Sequence, residues 1–228
     1  MDATIGWFAP PTCVGCGAED SCLCIACWAS EILPFGERCF GCNKLSERSK
    51  TCNACRAKNA PNHVWVSTDH EGLAKHLIEK FKFAHQRVAA KTISEIMAET
   101  FLTHNSDPQI KSKSYLIVPV PTASSRMRQR SFDHTSLLAR KLSNSLGFDM
   151  KATLSRLGQN QQVGASRHLR ATQAEGAYYA RSPSSVKGRN ILMVDDVVTT
   201  GATLSEAAKT LRQAGARSVD ALVFAKHL

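Results

Sequence analysis

The chain has 228 residues, 43% hydrophobic and 21% charged, which suits one α/β domain with a small addition and excludes a disordered or fibrous protein. No apolar run reaches the length of a membrane span, and Met1 to Pro10 has no basic residue ahead of its apolar patches. Neither membrane insertion nor secretion is therefore expected, and the chain reads as cytoplasmic. The net charge of +10 is uneven: residues 1–62 carry 6 basic and 6 acidic side chains, whereas residues 63–228 carry 23 and 13. The larger part should attract anions, either phosphorylated small molecules or nucleic acid, unless it is simply a basic solvated surface.

All nine cysteines lie between Cys13 and Cys55. Clustered cysteines in a reducing compartment read as metal ligands before they read as disulfides. Cys13 and Cys16 pair with Cys24 and Cys27, and Cys39 and Cys42 with Cys52 and Cys55, each pair a C-x-x-C knuckle, with spacers of seven and nine residues. A knuckle presents two thiolates on one turn, so two knuckles complete a tetrahedral four-cysteine site. Gly15, Gly17 and Gly41 supply the tight turns. Two structural Zn²⁺ ions are the expectation, with rubredoxin-like iron, an iron–sulfur cluster or metal-free thiols as alternatives. Cys22 is left over and could stand in for Cys24. A closed site has no open coordination position, so the module is expected to be structural or to dock a partner. Asn59-Ala60-Pro61-Asn62 reads as a linker, dividing the chain into domains 1–60 and 61–228.

Further along, Val64–Thr68 has strand character, and Leu73, Leu77 and Phe81 recur at helical spacing, as do Ile93, Ile96, Met97 and Phe101. Asn105–Ser114 is a polar loop. Tyr115–Pro121 is an apolar run of buried-strand type closed by prolines, followed by a basic loop and a helix over Thr135–Leu146 that stops at Gly147. Residues 156–176 show neither period and read as a long mobile loop. Asn190–Val194 is a second buried strand, Thr203–Ala214 an amphipathic helix stopped by Gly215, and Ser218–Ala225 a last apolar strand. This alternation predicts an α/β fold with a mostly parallel sheet flanked by helices.

The sharpest signal is Ile191 to Thr203. An apolar strand ends in Asp195 and Asp196, and Val197, Val198, Thr199, Thr200, Gly201, Ala202 and Thr203 then turn into a helix N-terminus. Open α/β sheets place ligands at such strand ends, and hydroxyls, backbone N–H groups and a helix dipole suit a phosphate. A glycine there lets backbone approach the ligand. The carboxylates precede the phosphate turn and no Walker sequence occurs, so a ligand with vicinal hydroxyls and a phosphate fits best. A strand that simply ends in a capping Asp is the plainer alternative. Without a ligand the two carboxylates repel, so Asn at both positions is expected to change stability little or to raise it.

This segment resembles the phosphoribosyl pyrophosphate (PRPP) signature of type I phosphoribosyltransferases. The resemblance implies that Asp195 and Asp196 act in catalysis by gripping the ribose hydroxyls, that Thr199 to Thr203 hold the 5′-phosphate, and that PRPP binds with Mg²⁺ ahead of an oxocarbenium-like transition state. Val118-Pro119-Val120-Pro121 followed by Arg126, Arg128, Arg130 and Phe132 is similar to the ComF (ComFC) branch, as are Gly72 to Phe83 with Lys82, and Gln161, Arg170, Gln173 and Gly176-Ala177-Tyr178. The paired cysteine knuckles resemble the double zinc ribbon of that branch.

The implied fold is type I phosphoribosyltransferase-like, with a small N-terminal double zinc ribbon. Arg126, Arg128 and Arg130, with Lys82 and Arg170, are candidates for the pyrophosphate, and the loop carrying Arg167 and Arg170 for a lid. The position that often carries a proton-accepting acid in purine-using relatives is Thr199 here, leaving Asp133, Asp69 and His134 as candidate bases. The implied context is DNA uptake in natural transformation, with single-stranded DNA, a DNA-uptake helicase or other competence proteins as partners. The alternative is a nucleic-acid-binding protein that uses the fold as a scaffold without turnover.

Overall fold

A computed structural model describes residues 10–56, 59–83, 88–105, 114–121, 133–156 and 178–227. The cysteine-rich segment carries two short helices, α1 (Ile25–Glu31) and α2 (Asn53–Arg56). Strand β1 (Val64–Asp69) and helices α3 (Gly72–Phe83) and α4 (Ala89–His104) follow, then β2 (Tyr115–Pro119), α5 (His134–Leu146) and β3 (Asp149–Met150). A small hairpin of β4 (Leu154–Arg156) and β5 (Tyr178–Ala180) and helix α6 (Pro183–Val186) precede β6 (Asn190–Val198), α7 (Ala202–Gln213) and β7 (Ser218–Lys226).

Five strands form one sheet in the order β1-β7-β6-β2-β3, and every pairing in it is parallel. Successive side chains on a strand point to opposite faces, and the apolar residues divide accordingly. Ile117, Leu192, Val194, Leu222 and Phe224 pack with α3, α4 and α5. Leu116, Val118, Ile191, Met193, Ala221 and Val223 pack with α7 and the β4–β5 hairpin. Cover on both faces explains why these strands read as unbroken apolar runs. Helix α7 turns Leu204, Ala207, Ala208 and Leu211 inward, the face its periodicity predicts.

One boundary differs from the sequence reading in a way that matters. Strand β6 does not end at Val194 but continues through both aspartates to Val198, because β7 pairs with it that far, to Val198 opposite Lys226. The acid pair therefore sits within the strand, held on one side by a full ladder.

The N-terminal segment is pinned along the body. Phe35 N–H donates to the Ser67 carbonyl at 3.1 Å, the Thr68 hydroxyl to the Leu33 carbonyl at 2.8 Å, and Thr51 N–H to the Asn62 carbonyl at 2.8 Å. Lys80 of α3 donates to the Thr12 carbonyl at 2.7 Å. Leu23 and Ile32 join the core on the α3 side, and Phe35 and Phe40 the core on the α7 side. At the opposite end of the sheet, buried Asp220 accepts from His63 N–H at 3.1 Å and from the Tyr115 hydroxyl at 3.0 Å, which satisfies a carboxylate in the middle of the ladder. No helix among the described residues is long and apolar enough to cross a membrane.

Candidate functional site

From β2 the chain passes through α5 to β3 on one side; from β6 it passes through α7 to β7 on the other. The strand order thus reverses between β2 and β6, and a crevice opens at the C-terminal ends of strands at such a switch point. Asp195 and Asp196 stand there.

Adjacent strand residues face opposite ways, so the two carboxylates have different surroundings. Asp196 lies on the α3 side, where its Oδ2 is 2.7 Å from Nζ of Lys82, the side chains being 12% and 17% exposed. Asp195 lies on the α7 side, half-buried, and its Oδ1 accepts the Asp196 backbone N–H at 2.9 Å. Burial and the charge of Asp196 raise the Asp195 carboxyl well above its ordinary value, against the opposing pull of that N–H and of Lys82.

Thr199, Thr200, Ala202 and Thr203 are exposed around the buried Gly201, whose φ of 75° places it in the left-handed region that favours glycine. A methyl group on Gly201 would overlap the ring of Phe40. The turn feeds the first N–H groups of α7, which lack intrahelical partners, toward solvent. Exposed hydroxyls and helix N–H groups beside two carboxylates can take a ligand with an anionic end and a hydroxylated middle.

Lys82 is the pyrophosphate candidate that the structure brings to this site. Arg126, Arg128, Arg130, Arg167 and Arg170, together with Phe132, Gln161, Gln173, Gly176 and Ala177, lie outside the described residues. Of the candidate bases, Asp133 is engaged as the N-cap of α5, accepting from the Ser136 N–H at 3.3 Å and the Ser136 hydroxyl at 2.7 Å. His134 is buried edge-on against Phe81. Asp69, at the end of β1 on the same rim as the acid pair, has its carboxyl raised by burial and by Glu71.

Three further residues stand near the site, and sequence reasoning gave none of them a role of its own. Lys226 ends β7 and points its Nζ at the Thr199 carbonyl, 3.4 Å away. Burial lowers the His70 imidazole beside the rim, as do Lys82 and His227. Tyr178 was noticed only as part of a pattern; its buried ring lies under the Arg156 guanidinium at 5.8 Å, and burial pushes its phenol up. A lone lysine closing an apolar strand was the one readable signal among them.

The eight cysteines of the four knuckles form two clusters, Cys13, Cys16, Cys24 and Cys27, and Cys39, Cys42, Cys52 and Cys55; within each the sulfurs lie within 4.8 Å of one another, and each group could hold a metal ion. The sulfurs of Cys13 and Cys24, of Cys16 and Cys24, and of Cys42 and Cys52 are in hydrogen-bond contact at 3.6–3.7 Å. A tetrahedron with metal–sulfur bonds of about 2.3 Å has edges of about 3.8 Å, so the cages fit such an ion. Burial raises the Cys13 thiol, but backbone N–H groups of Cys24, Cys16 and Gly15 outweigh it and bring it down to about 6. The Cys24 side chain and burial push Cys27 up to about 12. Four crowded thiols cannot all ionise without a cation among them. Cys22 is buried in the core with its thiol raised, outside the first cluster, and Cys24 takes the ligand position.

The split surroundings of the acid pair predict unequal effects on stability. A carboxyl raised in the fold opposes folding fully above its folded value, and that cost vanishes below its unfolded value of about 4. Asp195→Asn is therefore expected to hold or raise Tm at pH 7, with the gain shrinking toward pH 4. Asp196→Asn leaves Lys82 without its charged partner and should cost about 1.5–3 kcal/mol. Thermal unfolding of both variants against wild type at each pH tests this; equal shifts for the two variants would contradict it.

The family model described as phosphoribosyl transferase domain matches residues 90–228. Competence protein ComFC of Streptococcus pneumoniae is 26% identical over 204 residues, covering 88% of this chain and 86% of that protein. DNA utilization protein YhgH of Escherichia coli K12 and competence protein F of Haemophilus influenzae are each 27% identical, over 86% of this chain and 93% of theirs. Among solved structures, the allosteric regulatory enzyme of purine biosynthesis aligns with a TM-score of 0.42 at 18% identity, over 64% of this chain and 30% of that one. An adenine phosphoribosyltransferase aligns at 0.39 and 17%, over 59% and 69%. Likenesses of that strength add nothing to the assignment, which rests on the matched domain, the parallel sheet and the paired cysteine clusters. The chain belongs to the phosphoribosyl transferase domain family, in its ComF/ComFC branch.

Proposed function

We propose that residues 61–228 bind PRPP at the C-terminal end of β6 and that residues 1–60 form a double zinc ribbon supporting that domain. In this reading Asp195 and Asp196 accept hydrogen bonds from the ribose hydroxyls, and the hydroxyls and N–H groups of Thr199 to Thr203 hold the 5′-phosphate. Lys82, Arg126, Arg128, Arg130 and Arg170 are the proposed partners of the pyrophosphate. Mg²⁺, when bound with PRPP, neutralises the leaving pyrophosphate. The residues present suit a hard cation, since Asp195 and Asp196 bring carboxylate oxygens to the C-terminal end of β6.

What carries the reading is the acid pair and the exposed phosphate turn on one strand end, at the switch point of a chain matched by the phosphoribosyl transferase domain. The reaction class is phosphoribosyl transfer: an acceptor bonds to the anomeric carbon as the bond to pyrophosphate breaks. The fold holds the ends of this reaction by charge and hydrogen bonds, the part of catalysis a preorganised site supplies. The names competence protein and DNA utilization protein among the relatives support a role connected with DNA taken up by the cell. A scaffold that bound only nucleic acid would have no use for two adjacent carboxylates, which repel a phosphate backbone, so that alternative is not favoured.

Asp195→Asn with Asp196→Asn should weaken PRPP binding about ten- to hundred-fold, the loss of a charge-assisted bond worth about 1.5–3 kcal/mol. Calorimetric titration with PRPP and Mg²⁺ reads this directly, and unchanged affinity in a folded double variant refutes the site. Elemental analysis of protein purified without chelator should find about two zinc ions per chain, one for each four-cysteine cage. A value near zero, or mainly iron, would remove the ribbon assignment.

A further inference from the structure

The segment of the second four-cysteine cluster stands beside the phosphate turn, with the Phe40 side chain against it. Phe40 lies between Cys39 and Cys42, so its backbone is tied at both ends to ligands of one cage. The knuckle is closed by the Asn43 N–H to Cys39 carbonyl bond at 2.8 Å and the Cys39 N–H to Lys44 carbonyl bond at 2.8 Å. The ring itself, 3% exposed, fills the space beside Gly201, where an added methyl group would overlap it.

Gly201 is the N-cap of α7 and sets the direction of the Ala202 and Thr203 N–H groups. The ends of the turn are tied, by His227 N–H to the Val198 carbonyl and Ser205 N–H to the Gly201 carbonyl, both at 2.9 Å, but between them few bonds reach it among the described residues. Thr199 and Thr200 are exposed, and the bonds that reach them from Lys226 and from Ala202 N–H are both long, at 3.4 Å. A turn held by so little would lose conformational freedom on meeting a ligand, and that loss weakens binding. Packing by a ring fixed in a metal cage removes much of it beforehand. The first cluster faces elsewhere: a Cβ on Gly15 would come within 2.9 Å of Leu73, in the first turn of α3.

We infer that Phe40 is a positioning residue for the phosphate turn, through which filling of the second four-cysteine cage sets the affinity for a phosphate ester. The inference rests on the PRPP reading of the site. It gives the N-terminal module a direct effect on ligand binding, made through one aromatic contact.

The test compares full-length wild type with Phe40→Ala, Phe40→Leu, Cys42→Ser and Leu142→Ala, a core change in α5 on the other face of the sheet. For each, metal content, Tm and the Kd for PRPP with Mg²⁺ are measured. Phe40→Ala should keep the wild-type metal content and bind PRPP about tenfold or more weakly, with Phe40→Leu between it and wild type. Cys42→Ser should lose one metal equivalent and match Phe40→Ala in Kd. Leu142→Ala should lower Tm comparably yet keep Kd within about twofold of wild type.

A metal-loaded Phe40→Ala protein whose Kd stays within about twofold overturns the inference while leaving the PRPP site standing. So does a Leu142→Ala protein that loses as much affinity as Phe40→Ala, because the effect would then be general destabilisation. If Phe40→Ala does not fold, the same criteria apply to Phe40→Leu. Wild-type protein that fails to bind PRPP removes the site reading and this inference with it.

Discussion

Two negative charges on neighbouring residues, at the end of a strand buried on both faces, are what the rest of this structure must accommodate. The pleat divides them, sending Asp196 toward α3 and Asp195 toward α7. Lys82 meets the first at 2.7 Å, and nothing of opposite charge meets the second as closely among the described residues. The ligand-free protein therefore holds one carboxyl raised well above its ordinary value and one in an ion pair. On the proposed reading, a sugar phosphate arriving with a divalent cation would bring positive charge to the first, the partner that the ligand-free arrangement does not supply as closely.

The small N-terminal module is braced against both sides of this arrangement. On one side Lys80 reaches the Thr12 carbonyl, and the close approach of Gly15 to Leu73 seats the first cage on α3, the helix that carries Lys82. On the other, Phe40 seats the second cage on the phosphate turn. A module of this size has little core of its own, so it depends on core borrowed from the larger body. Cys22, Leu23 and Phe35, buried in the two cores of that body, are the visible part of that loan.

Much of this was legible from the residues. Unbroken apolar runs located β1, β2, β6 and β7, which are covered on both faces, and period-3.6 patterns located the four long helices, each of which buries one face. Strands β3, β4 and β5, two or three residues each, are shorter than any periodicity can register. The extension of β6 through Asp195 and Asp196 was hidden because two aspartates look like a strand's end, and only the pairing with β7 carries it further. Asp133 invited a catalytic reading, yet its place just before a helix was the better signal, and it caps α5. The ambiguity of Cys22 against Cys24 needed burial to resolve it. No local pattern pointed to Phe40 beside the phosphate turn, and only a lone lysine closing an apolar strand hinted at Lys226, since both contacts join parts of the chain far apart in sequence.

The central claim is that a phosphoribosyl ligand sits on the strand end and turn formed by residues 195–203. Amide hydrogen exchange of the full-length protein, with and without PRPP and Mg²⁺, asks this of each segment separately. Binding at the site predicts slowed exchange across the turn and the first turn of α7, little change at the Asp220 end of the sheet, and loss of the effect when Mg²⁺ is chelated. Exchange that is unaltered in residues 199–205, or slowed only elsewhere in the chain, would contradict the account.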